Sequence, residues 1–437
     1  MVFRSVIFSV IAGAVLVSAP TARAQVGPAD GAPGSFAHAF TALLYSESLD
    51  AARGLAEARL AGTPGDQTAA LALGMAQFAG AVQGLARDLR RYGLTTPRFG
   101  LLPFFRLPVA PNPQPETLTY QKTRQIMIDF VARMAVADET LAGVTDPEVQ
   151  LPLRPALVRL DTDGDGIASD EERFLSVFAV YHPRGTDAEG RIDFDGSDAA
   201  WFQGYTHLLS ALAEFWLAHD WHEGFEASFH ALFPDSGLPN SRLNDLPKAR
   251  RAAIEAAGAQ GYDAGSWTGD LTSDAAIADA LAFLHLIHWP VAEPARMIAA
   301  RAHLKAMIET SRETWRRILA ETDDRQEWIP APSQAMALGT GRPAPVTEAT
   351  VAGWMQFLDV FEAALDGELL LPHWRLEGGV NLKRVFEEPT TFDLVLWLQG
   401  SAALPYIEDG PVADAATWES IATTMSGDFM TYFVWFN

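Results

Sequence analysis

The sequence predicts a mainly α fold, a multi-helix, bundle-like globule with a few short strands near the C-terminus. Three observations carry that expectation: apolar runs at helical spacing bounded by capping residues, 49% hydrophobic residues in a chain of 437, and no cysteine. Without disulfides, a chain of this size must stand on its apolar core, its helix packing and any bound metal.

The chain opens on MVFRSVIFSVIAGAVLVSAPTARAQ, in which Arg4 precedes an apolar run and small residues precede Gln25. A charged start, a short apolar core and a small-residue end describe a secretory signal, so residues 1–24 are expected to be removed and the product to be periplasmic or secreted. No later run approaches the roughly 20 apolar residues of a spanning helix. Losing Arg4 and Arg23 leaves 30 basic residues against 55 acidic ones. Such a surface repels phosphate backbones and attracts cations, which excludes nucleic acid as a partner.

Two amphipathic runs, residues 39–62 and 66–93, meet at TPGD, where a proline and a capping aspartate turn a helical hairpin. With Leu73, Gly74 and Phe78 at packing positions, the pair resembles one unit of a tetratricopeptide repeat. No second copy occurs at the required period, so a structural hairpin is expected. Residues 97–116 hold six prolines and three phenylalanines and should run extended against the body. Further helices are expected at 117–142, 171–181, 198–233, 247–257, 273–289, 294–321 and 347–365, with short strands between 367 and 400. This gives an N-terminal helical region, residues 25–150, and a main helical body, residues 151–437, either joined in one domain or meeting at an interface. Proline and glycine at 97–116, 234–246 and 329–345 mark internal boundaries.

DTDGDGIASDEE, residues 161–172, is the most specific local pattern. Calcium takes six to eight oxygens at about 2.3–2.6 Å, and a tightly curled 12-residue loop supplies them. Asp161, Asp163 and Asp165 stand at positions 1, 3 and 5, and Gly166 at 6 permits the sharp turn. Ile167 at 7 offers its carbonyl, Ser169 at 9 a direct or water-borne contact, and Glu172 at 12 a bidentate closure. In these residues the chain resembles the EF-hand family, and the resemblance implies a calcium ion held by Asp161, Asp163, Asp165, Ile167, Ser169 and Glu172. The alternative is a solvated acidic turn.

Two departures bear on what the loop does. Position 8 is Ala168 where the family places a branched apolar residue, and Pro152 and Pro155 limit the incoming helix to about a turn and a half. The loop therefore reads as a staple ahead of the 171–181 helix rather than as a two-armed switch. Residues 187–198 have a paired-hand spacing but lack the glycine and carry Arg191 at position 5. They are expected to form a turn ending in a helix cap at Ser197 or Asp195, with Asp198 in the first turn, and their backbone has the spacing to pair with the first loop.

The other candidate for chemistry is AHDWHEGFEASFH. On an uninterrupted helix His219, His222, Glu223, Glu226 and His230 fall within about 100° of arc, one face. Only neighbouring pairs could share an ion, and His285 and His288 offer an i, i+3 pair on a second helix. The face suits either a second, transition metal with Glu223 or Glu226 as general base, or ordinary side-chain pairing on a helix edge. No zincin pattern, nucleophile elbow, phosphate-binding loop or dinucleotide fingerprint occurs, and the absence of cysteine excludes thiol catalysis. Trp201, Trp216, Trp221 and Trp289 are expected in the core, and the apolar 429–437 segment as a docked element.

Three readings of function follow. The first is an exported calcium-stabilised helical protein, with a cavity between its helices open to a small-molecule ligand. The second is a metal-dependent hydrolase built on the His/Glu face, and the third a calcium-responsive module with a protein partner.

Overall fold

A computed structural model describes residues 29–95, 107, 109–173, 190–244, 274–334, 346–424, 433 and 436. The expected signal segment 1–24, the 247–257 helix, residues 174–181 of the expected 171–181 helix and most of the 429–437 segment lie outside the described residues.

The fold is mainly helical, as expected. The first expected run divides into α1, Phe36–Ser46, and α2, Leu49–Gly62, because the Ser48 hydroxyl accepts from the Ala51 N–H and starts a new helix. Asp66 caps α3, Gln67–Arg91, which packs on α4, Tyr120–Ala142. The two approach closely at Gly74, where a Cβ would stand 2.6 Å from the Leu141 side chain. By length and composition α3 is the one described helix apolar enough to cross a membrane, and most of its apolar stretch is buried inside the fold. Residues 109–116 run without helix along the end of α3, where Asn112 donates to the Arg90 and Arg91 carbonyls and Arg91 pairs with Glu116 at 2.6 Å.

Residue 150 opens β1, Gln150–Leu153, which pairs antiparallel with β2, Ile192–Asp195. A strand followed by a single 3-10 turn, Pro155–Leu157, therefore stands where a short incoming helix of about a turn and a half was expected before the acidic loop. Pro152 cannot continue a helix, and the ladder from Leu153–Ile192 to Gln150–Asp195 satisfies the backbone instead. The 187–198 segment was expected to pair with the loop; its described strand, Ile192–Asp195, pairs with β1 instead.

Asp195 accepts from the Ser197 and Asp198 N–H groups and so starts α5, Gly196–Ala218. A short α6, His222–Ser228, follows, then α7, Asp274–His285, and β3, His288–Trp289. Helix α8, Pro294–Ile318, lies along α5 for much of its length, and α9, Glu348–Leu365, also packs on it. The C-terminal half carries β4, Leu371–Pro372, β5, Gly379–Val380, and β7, Ile407–Glu408, in one small sheet of order β4-β5-β7. Between them, α10, Leu382–Glu387, precedes β6, Phe392–Asp393, which pairs with β3. The FDLVLWL run yields mostly helix, α11, Leu394–Gln399, since Asp393 caps it by accepting from the Leu396 N–H. Helix α12, Ala415–Thr424, closes the described sequence of elements.

Burial follows this order. One cluster holds Phe40, Leu71, Leu141, Leu151 and Phe194, and a second holds Leu85, Phe130, Trp216, Trp221 and Trp289. A third joins Trp201, Trp315, Trp354 and Phe436. The first two clusters both contain residues from either side of position 150, so the expected N-terminal region and main body share their apolar cores there. The four tryptophans singled out from the sequence are all buried.

Between α5 and α8 the rings of His207 and His303 meet at 3.1 Å through their Nδ1 atoms. Burial holds both below the ordinary histidine range, against the carboxylates of Asp138, Glu309 and Glu214 that pull upward. A base whose folded pKa lies below its unfolded value contributes stability above the unfolded value, and loses it as pH falls through about 6.5. Urea midpoints at pH 7.5 and 5.5 are expected to differ less in His303→Gln than in wild type by this contribution. Comparing the two chains cancels the titration of the acidic groups they share. Equal slopes would show that the pair does not titrate on unfolding.

Candidate metal centre

The acidic loop closes on a β-type base. Arg159 and Arg173 form an isolated antiparallel bridge, and the Leu160 N–H donates to the Glu172 carbonyl. Residues 170–172 make a 3-10 turn, and Arg173 is extended where the 171–181 helix was expected to run. Arg173 is committed to the bridge with Arg159, so the expected helix does not begin at residue 171.

Inside the loop each aspartate accepts from nearby backbone. Asp163 takes the Asp165 N–H at 3.0 Å, Asp165 the Ile167 N–H at 2.7 Å, and Asp161 the N–H groups of Gly164 and Gly166 at 2.7 and 3.0 Å. Gly164 and Gly166 stand at φ 75° and 86°, the left-handed region that glycine enters without strain. The Glu172 carboxylate returns to the loop's start and accepts from the Thr162 and Asp163 N–H groups and the Thr162 hydroxyl, while its other oxygen takes the Ser169 N–H and hydroxyl. Burial raises its pKa, but these five donors outweigh burial and hold it below the usual glutamate value. One oxygen each from Asp161, Asp163 and Glu172 lies within 4.8 Å of the others. Asp165 and Ile167 are exposed, and Ser169 is half-buried.

One face of α3 grips this loop. Gln83 accepts from the Asp161 N–H at 2.9 Å, and Arg87 donates to the Asp161 carbonyl and carboxylate, both at 2.6 Å. Arg90 donates to the Asp163 carbonyl at 2.7 Å. Positions 83, 87 and 90 are i, i+4 and i+7 of one helix, a spacing legible in the sequence once the loop's location against α3 is known.

The expected His/Glu face is not formed. Helix α5 stops at Ala218, and His219 is extended at φ −110°, ψ 154°. The Asp220 N–H donates to the Pro290 carbonyl and the Trp221 N–H to the Tyr120 hydroxyl, so the backbone leaves the helix for tertiary partners and buries the Trp221 ring. His219 is buried with Nδ1 2.7 Å from the Phe215 carbonyl, and burial lowers its pKa although that carbonyl raises it. His222 is exposed, stacks on Tyr120 and lies 3.4 Å from Glu226, a surface i, i+4 pair. Glu223 is exposed and His230 is buried. The expected His285 and His288 helical pair is divided too, since α7 ends at His285 and His288 belongs to β3.

A second carboxylate set was missed by sequence reasoning. Asp195 meets Glu321 and Glu327, which follow α8, again with one oxygen from each within 4.8 Å of the others. Asp198 is buried beside them and its Oδ2 accepts the Asp195 N–H. Burial, reinforced by the neighbouring carboxylates, pushes Glu321 up to about 7 and Glu327 up to about 8, and raises Asp198 well above the ordinary range. The ETDDRQE run at 321–327 was the available signal, but its partner Asp195 lies 126 positions earlier in the chain.

The fold and its carboxylates define a mainly helical protein with an acidic, oxygen-rich loop clamped to a core helix. Comparison with known proteins finds no matching family model, no similar curated protein and no similar solved structure.

Proposed function

We propose that this is an exported calcium-binding protein in which the 161–172 loop takes a calcium ion that stabilises the helical scaffold. One observation carries the reading: Asp161, Asp163 and Glu172 converge to within 4.8 Å, on a backbone curled by two left-handed glycines. Two oxygens bound to one ion at about 2.4 Å stand at most about 4.8 Å apart, so the three fit a single calcium shell. The Ile167 carbonyl, Ser169 and Asp165 complete the oxygen set in this reading. The charged start, apolar run and small-residue end of residues 1–24 support export.

The ion acts as a staple. Arg159 and Arg173 bridge the two ends of the loop, its approach holds only a 3-10 turn at Pro155–Leu157, and its body is held by Gln83, Arg87 and Arg90, so among the described residues it has no pair of helical arms to swing. That favours stabilisation over a calcium-responsive interaction module. The dispersal of His219, His222, Glu223, Glu226 and His230 leaves the hydrolase alternative without an assembled site among the described residues.

Chelator-stripped protein is expected to gain about 1.4 kcal/mol of stability when calcium is present at ten times its dissociation constant. Glu172→Gln should lose the share of binding that belongs to this loop. Identical calcium titrations for wild type and Glu172→Gln would overturn the assignment.

A further inference from the structure

We propose that Asp195, Glu321 and Glu327 form a second binding site for a hard divalent cation of the calcium class, built from two distant segments of the chain. Glu327 is 96% buried, yet among the described residues no hydrogen-bond donor reaches its carboxylate and no Lys, Arg or His pairs with it. Its oxygen faces the carboxylates of Asp195 and Glu321, within 4.8 Å of both. Glu321 adds a second deficit. Its Oε2 accepts from Gln334 at 3.0 Å, whereas its Oε1 is buried and has no hydrogen-bond partner. Asp193 Oδ1, two residues before Asp195, is likewise buried and unsatisfied.

Ionised, a buried carboxylate with neither donor nor counter-ion would be costly and three facing one another more so, and without a cation burial holds Glu321 and Glu327 toward their neutral forms. The nearby arginines are committed elsewhere: Arg191 to Asp193 at 2.8 Å, Arg325 to Asp323 at 3.6 Å, and Arg317 to the Val144 and Gly196 carbonyls and to Glu313. A divalent cation at the common point supplies the missing charge and the missing partners together. The donors are all oxygens, which selects a hard cation over zinc or copper. The backbone is already held for it. The Asp193 N–H donates to the Gln326 carbonyl at 2.9 Å, and Gln334 ties Glu321 to the Asp323 carbonyl. The ion would therefore fasten the start of α5 to the segment after α8.

The site is independent of the 161–172 loop, and the test separates them. Calcium binding to the chelator-stripped full chain is measured by equilibrium dialysis, alongside terbium emission sensitised by tryptophan, since Trp328 adjoins Glu327. Wild type is expected to bind two ions, Glu327→Gln one, Glu172→Gln one, and the double variant none. Glu327→Gln should fold normally, its melt in chelator no lower than that of wild type. If that melt falls, Asp195→Asn decides, because asparagine still caps α5 and should also lose one ion. Binding by Glu327→Gln and Asp195→Asn equal to wild type in number and affinity would overturn the second site. A Glu172→Gln chain that binds nothing would do the same, while two ions retained in Glu172→Gln would count against the first loop alone.

Discussion

Arg87→Ala is expected to weaken the cation-free protein by about 2 kcal/mol and yet to tighten calcium at the 161–172 loop about tenfold. In the structure the guanidinium reaches both the carbonyl and the carboxylate of Asp161 at 2.6 Å, and the Asp161 side chain is only 6% exposed. Removing two charge-assisted hydrogen bonds costs roughly 1.5–3 kcal/mol each, discounted here because Arg87 itself is 32% exposed. Asp161 keeps the Gly164 and Gly166 N–H groups, so it is not abandoned. The opposite sign on affinity comes from charge. A guanidinium about 5 Å from a divalent ion repels it by roughly 1.7 kcal/mol even at the dielectric of water, and more in a partly buried site. Denaturant unfolding in chelator and a calcium titration read the two effects separately. Arg87→Lys, which keeps the charge, should restore little affinity gain. If the alanine variant binds calcium more weakly, Arg87 serves to shape the loop for the ion instead of competing with it.

The largest loss of stability is expected for Trp354→Ala, about 3–5 kcal/mol. Trp354 is fully buried between α8 and α9, with its ring centroid 5.1 Å from Phe357, 6.1 Å from Phe433 and 5.9 Å from Phe436. Its indole N–H donates to the Ser311 hydroxyl at 3.0 Å, which in turn donates to the Phe436 carbonyl at 3.3 Å. Alanine therefore opens a cavity and also cuts the link by which α8 and α9 hold the chain's last aromatic residues. Trp354→Phe fills much of the space but cannot donate, so it should lose roughly half as much. Urea unfolding measures both variants. A loss below 1 kcal/mol for alanine would mean that the neighbouring rings collapse into the space.

Several elements were legible because their causes are local. Apolar spacing and capping residues located α3, α4, α8 and α9 within a few residues of their observed ends. Asp195 was one of two expected caps, and it caps α5. The loop's turns were legible for the same reason: Asp163 and Asp165 bond to N–H groups two residues on, and Gly166 supplies its φ from its own lack of a Cβ.

The misreadings share one origin. The run from Asp198 to Phe233 has helical spacing throughout, yet Pro290 and Tyr120 offer hydrogen bonds that a helix at 219–221 would forgo. The pattern before the loop suggested a stunted helix, and β2, some 40 residues on, made residues 150–153 a strand and left only the 3-10 turn at Pro155–Leu157. Neither partner is visible at the point in the sequence where the decision is made.

By itself the sequence determined the mainly helical class, the acidic surface and the one loop whose acidic side chains share a short stretch, because those follow from composition and near-neighbour geometry. Tertiary structure alone decided that α3 clamps that loop through Gln83, Arg87 and Arg90, that the histidine face dissolves, and that Asp195 meets Glu321 and Glu327. Carboxylates more than a hundred positions apart carry no spacing signal, and only the packing of α5 along α8 brings them together.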